Sequence, residues 1–167
     1  ATRLGHGAGL EVEDVVAAYY LAILCYVGCT TTSHETSKAV DELGLGPLLV
    51  ATDEEFVPAL ERSFAATLPA ADARAAAQSM AQWFASPDIG PHHRNHCEAA
   101  ELIARRLELG PRVVDGLSHV YERWDGMSTQ RLAAADEISL PMRVVQVAWV
   151  VGQESITRDA AEIALRL

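Results

Sequence analysis

The sequence predicts an all-α protein, and three observations predict it. No segment alternates apolar and polar residues with period two over a convincing length. Proline and glycine fall where helices would begin and end. Half of the residues are hydrophobic, alanine is abundant and only 6% are aromatic, which suits small, closely packed helix interfaces. Together these give a bundle of about seven or eight helices. The 167 residues are read as one domain, 1–167, long enough to enclose a core.

The elements follow in order. "VEDVVAAYYLAILCYV", residues 12–27, reads as a long, almost fully buried helix with acids in its first turn, where the helix dipole favours them. "SHETSKAVDEL" is a short helix ending at Gly44. Thr52 and Glu55 form a capping box that opens "DEEFVPALERSFAATL"; Pro58 inside it demands a kink or a late start. "AADARAAAQSMAQWFA" lies between Pro69 and Pro87. "PHHRNHCEAAELIARRLEL" runs from Pro91 to Gly110, proline at the start and glycine past the end. Pro111 opens "RVVDGLSHVYERW", Ser139 and Pro141 open "MRVVQVAWVVGQ", and Thr157 caps "RDAAEIALRL".

Composition also excludes function classes. The formal net charge is −10, so direct nucleic-acid contact by this segment is not expected. The longest apolar run, "VVAAYYLAILCYVGCTTT", is interrupted by Gly28 and Thr30 to Thr32, so no membrane span is expected. Three cysteines without disulfide-like spacing point to a reducing, cytoplasmic setting. There is no glycine-rich phosphate loop and no Ser-His-Asp order. Cys25, Cys29 and Cys97 could serve as a thiol sensor, although buried cysteines usually only pack.

Three segments carry a family resemblance. They are "YYLAILCYVGCT", "HCEAAELIARRLELGPRVVDGLSHVYERWDG" and "DEISLPMRVVQVAWVV", in that order. They resemble an HD-GYP-type domain, the helical phosphodiesterase branch of the HD superfamily, and within it the degenerate modules of actinobacterial regulators. The resemblance implies an HD-domain-like helical bundle. It also implies an output in transcriptional regulation, through a LuxR-type DNA-binding domain or a partner outside this segment. Relative to that family both ends are expected to be clipped. Residues from Thr30 to Asn95 resemble nothing in it.

In the resembled family a His-Asp pair, later histidines and a last Asp hold two metals. Only His96 matches that ligand set here. The His-Asp pair and the Gly-Lys after it correspond to Cys25-Tyr26-Val27-Gly28-Cys29, and a His-His-Glu corresponds to Val120-Tyr121-Glu122. Ser128-Thr129-Gln130 stand for the GYP triplet, and Trp149 for the last Asp. Tyrosine with a pKa near 10 is a poor substitute for a carboxylate, and tryptophan offers no acceptor. A binuclear hydrolase needs several converging ligands.

The resemblance therefore implies an inactive sensory or interaction module without metal or other cofactor. Its former cleft, with candidate residues Cys25, Tyr26, His96, Tyr121, Glu122 and Trp149, would be filled or reused for a small-molecule ligand. Alternatives stay open. One is a divergent metal-dependent phosphohydrolase built from His92, His93, His96, His119 and Glu122. Another is a remodelled mononuclear site on Cys25 and His96, with His34 or Cys29 as a further ligand. A third is a structural dimerisation domain, since long helical faces make a homodimer plausible. Trp124 is expected to bury at the helix end, Asp125-Gly126 to form a turn, and Glu122 to pair with Arg123 or Arg143.

Overall fold

The structure, a computed structural model, describes residues 1–31, 53–87, 89–128 and 130–155. Among them it is helical, with no strand. Seven α-helices are described: α1 (Thr2–Gly7), α2 (Val12–Leu24), α3 (Asp53–Ala65), α4 (Ala70–Phe84), α5 (Ile89–Arg106), α6 (Pro111–Leu117) and α7 (Leu140–Glu154). Two short 3₁₀ turns span Val27–Thr31 and Ala135–Glu137. The expected helix over residues 33–43, the Thr52–Glu55 capping box, His34 and the Thr157 cap lie outside the described residues. The chain divides into two compact units: Ala1–Thr31 with Gly90–Leu167, and Thr32–Ile89.

In the first unit α2 packs against α1, α6 and α7. The core joins Ala17, Ala18, Leu21 and Leu24 of α2 to Val113, Val114 and Leu117 of α6 and to Met142, Val144 and Val145 of α7. Ala100 and Ala104 of α5 join the same core. Gly116 brings α6 close to α2, because an added Cβ there would meet Leu21 at 2.8 Å. In the second unit α3 and α4 pair around Leu60, Phe64, Ala73 and Ala77, with an exposed Arg74–Glu61 ion pair at 3.1 Å. Pro58 lies within α3, which runs through it.

Five helix expectations change. α2 is not almost fully buried: Val12, Val16, Tyr19, Tyr20 and Ile23 are exposed on the side opposite the core. Its α-helix stops at Leu24, and Cys25 is its C-cap. By length and composition Val12–Thr30 is long and apolar enough to cross a membrane. The α-helical part is 13 residues, about 20 Å at 1.5 Å per residue, short of a hydrocarbon core of about 30 Å.

The helix opened by Pro111 ends at Leu117, not at Trp124. Residues 118–121 turn instead. Gln146 of α7 donates its side-chain amide to the carbonyls of His119 (3.2 Å) and Glu122 (2.9 Å), groups that a longer helix would leave to its next turn.

α5 begins at Ile89, two residues before Pro91. Its end is closed by Glu108, not by Gly110. Glu108 has φ 56°, its N–H donates to the Arg105 carbonyl, and the Leu109 N–H reaches the Ala104 carbonyl. That pairing is a Schellman closure. Gly110 has φ −63° and caps α6.

Candidate functional site

Two backbone segments of the first unit meet where the resemblance puts a metal cleft. The 3₁₀ turn Val27–Thr31 crosses the middle of α5. Gly28 lies so close that a Cβ on it would sit 2.0 Å from the His96 carbonyl oxygen. This approach places Cys29 beside His96, with Sγ 3.6 Å from Nδ1. Tyr121, in the turn after α6, completes a triangle. Its hydroxyl is 3.1 Å from His96 Nδ1 and 3.5 Å from Cys29 Sγ.

The other histidines of "HHRNHC" pack onto the same cluster. His93 stacks flat on the Tyr121 ring, with centroids 3.9 Å apart and planes 5° from parallel. His92, one turn before His96, lies 4.1 Å from it, centroid to centroid. Neither is a simply solvated residue near a helix start, since both are half-buried.

Electrostatics keeps the three histidines and Tyr121 neutral. Burial pulls the His93 imidazole down to about 4, helped by His92 and His96. His96 is lowered by burial first and by His92 second, and His92 by burial. Burial, with Cys29 beside it, lifts the Tyr121 hydroxyl well above the usual phenol range. A protonated Tyr121 donating to His96 Nδ1 satisfies both groups without charge.

A pH prediction follows for stability. A histidine whose pKa is lowered on folding leaves the unfolded state binding more protons between the two values. Stability is then complete above about 6.5 and falls as pH drops toward the folded value. Urea unfolding midpoints should fall between pH 7 and pH 4, and His93→Gln should flatten that decline. An unchanged slope in the variant would show that His93 does not titrate as described.

The remaining candidates separate into two groups. Tyr26 packs on Trp149, with ring centroids 5.6 Å apart and 51° between planes. Burial raises the Tyr26 hydroxyl as well. Cys25 is buried, points its thiol at the Ala22 carbonyl of its own helix (3.6 Å), and is pushed up to about 11 by burial. The cysteine placed against His96 is therefore Cys29, not Cys25. The α-helix ends at Leu24, three residues before the expected end, and Cys29 lies in the 3₁₀ turn Val27–Thr31 that follows.

Glu122 is 2% exposed, and its carboxylate serves the loop that follows it. Oε2 accepts from Ser128 Oγ at 2.5 Å and from the N–H groups of Leu132 and Ala133 at 3.2 and 3.4 Å. Ser128 Oγ in turn accepts from the Arg131 N–H at 2.9 Å. Glu122 does not pair with either expected arginine. Arg123 holds Asp125 through two bonds of 3.0 and 2.6 Å, and Arg143 bonds Asp136 at 2.7 Å.

Trp124 is 57% exposed rather than buried, with the Arg143 guanidinium 5.4 Å above its ring. The Asp125-Gly126 turn is present: Gly126 has φ 70°, and Asp125 Oδ1 accepts from the Met127 N–H at 2.9 Å. The arginine bond, with that N–H second, holds Asp125 down to about 2.

These residues do not fit the binuclear metal centre of the resembled family. Among the described residues no three His, Cys, Asp or Glu side chains group so as to hold a metal ion. Glu122 commits one oxygen to three donors in its loop, and the tyrosines stay protonated. His119 Nδ1 and Glu122 Oε1 are buried without a hydrogen-bond partner among the described residues. They do not join His92, His93 and His96 in such a group. Comparison with family profiles, with curated proteins and with solved structures finds no match.

Proposed function

We propose that the chain is a catalytically inactive HD-GYP-like module that acts in signalling or interaction, linked to transcriptional regulation. The resemblance supplies the family and the output. One observation carries the loss of chemistry: the groups at the resembled ligand positions satisfy one another. Tyr121 bonds His96 at 3.1 Å, Cys29 touches both, and Tyr26 packs on Trp149. A metal would have to displace these contacts and would find thiol, phenol and indole where hydrolysis needs carboxylates and imidazoles. Of the two fates for the cleft, filling is favoured over reuse as a ligand pocket, because Tyr26 packs on Trp149 and Tyr121 bonds His96.

Such a module works by contacts that differ between two arrangements of its helices. The test is a hydrolysis assay on a cyclic dinucleotide with Mn²⁺ or Fe²⁺ supplied. No turnover above the metal-only control is expected. Turnover that disappears in His96→Ala would establish the rival phosphohydrolase.

A further inference from the structure

The outward face of α2 points to a use that neither the cleft nor the core explains. Val12, Val16, Tyr19, Tyr20 and Ile23 are 68, 48, 50, 37 and 58% exposed. Their spacing, i, i+4, i+7, i+8 and i+11, makes one continuous stripe along the helix. The opposite face, with Ala17, Ala18, Leu21 and Leu24, is the core of the unit, so core packing accounts for half of this helix only. Tyr19 and Tyr20 sit near the middle of the stripe in an edge-to-face pair, centroids 5.3 Å apart. Rigid aromatic groups near the centre are what interfaces use as anchors.

We infer that this stripe is a self-association surface, on which the α2 helix of a second copy packs antiparallel about a two-fold axis. Charge confines self-association to this face. The chain carries −10, so two copies repel except through a neutral face, and no charged residue occurs between Asp14 and Thr31. Charge also selects the orientation. Glu11 and Glu13 stand at the N-terminal end of α2, where Asp14 is already paired with Arg112 at 3.0 Å, and parallel packing would place the two pairs of glutamates together. Antiparallel packing separates them by about 20 Å, the length of the helix, beyond a screening length of about 8 Å.

Area sets the strength. The exposed fractions correspond to roughly 500 Å² of side chain per copy, taking about 150–250 Å² for a whole aromatic group. Two copies then bury at most about 1,000 Å², the lower edge of specific interfaces. The dimer is therefore weak and concentration-dependent.

Sedimentation of the 167-residue chain from about 1 µM to about 200 µM, the range of micromolar dissociation constants, tests this. The mean mass should rise from 18.0 kDa toward twice that value. Tyr19→Glu and Ile23→Asp should each weaken association at least about tenfold while helical circular dichroism is retained. Leu102→Glu, at an exposed leucine of α5, should leave it unchanged. A monomer throughout the range, or a dimer indifferent to both stripe variants, overturns the inference. So does a monomer that floats with phosphatidylcholine vesicles through Tyr19 and Ile23, which would assign the stripe to lipid.

Discussion

Glu122→Ala is expected to lose about 3 kcal/mol or more of stability, because three donors lose their acceptor at once and each buried unsatisfied group costs about 1–3 kcal/mol. The donors are Ser128 Oγ and the N–H groups of Leu132 and Ala133. The loop they belong to also contains Arg131 and Ala135 at φ 53° and 48°, left-handed conformations that side chains resist. Glu122 holds that loop closed against its own strain. Glu122→Gln keeps one acceptor oxygen and should lose less, about 1–2 kcal/mol. Equilibrium unfolding in urea measures both. A Glu122→Ala value within about 0.5 kcal/mol of the parent, the range of ordinary surface changes, would show that the carboxylate does not organise the loop.

Gly28→Ala should be as damaging. A methyl group there would lie 2.0 Å from the His96 carbonyl oxygen and 2.7 Å from its carbon. Backbone, not a flexible side-chain end, is what it meets, so the 3₁₀ turn must move off α5. The expected loss is about 3 kcal/mol, at the upper range for overpacking, and the Cys29–His96–Tyr121 contacts should open with it. The readout is twofold: the urea midpoint falls, and Cys29 labels faster with a thiol reagent in the folded protein. Wild-type stability together with unchanged labelling would contradict the close approach.

These two residues show what was legible in the sequence and what was not. Helix class and most starts were readable, because proline, glycine and periodicity act locally. Pro69, Pro111 and Pro141 all stand at the first turn or just before a helix. The Asp125-Gly126 turn was readable for the same reason. The role of Glu122 was not, because its partners lie 6 to 11 residues away across an irregular loop. Expecting an arginine partner assumed that charge pairs with charge, whereas backbone N–H groups satisfied this carboxylate. The early end of α6 depended on Gln146, more than 20 residues on in the chain.

The candidate site divides in the same way. His96 and Tyr121 were named from the resemblance and do meet. Cys29 was only a secondary candidate, yet it is the thiol in contact. One signal could have promoted it: Gly28, whose missing side chain allows the approach that carries Cys29 to α5. The outer face of α2 was misread because an apolar helix has no polar side to mark where solvent begins. Apolar residues all round suggest burial all round, and only three-dimensional packing shows which half is left for a partner.

As proposed, the module holds no metal because its own side chains fill the resembled cleft. Elemental analysis of the purified chain, after exchange into buffer containing equimolar Mn²⁺, Fe²⁺ and Zn²⁺, tests it most directly. Less than about 0.1 equivalent of any metal should be retained, since among the described residues no set of carboxylates and imidazoles converges to hold one. About two retained equivalents, lost in His96→Ala, would contradict it.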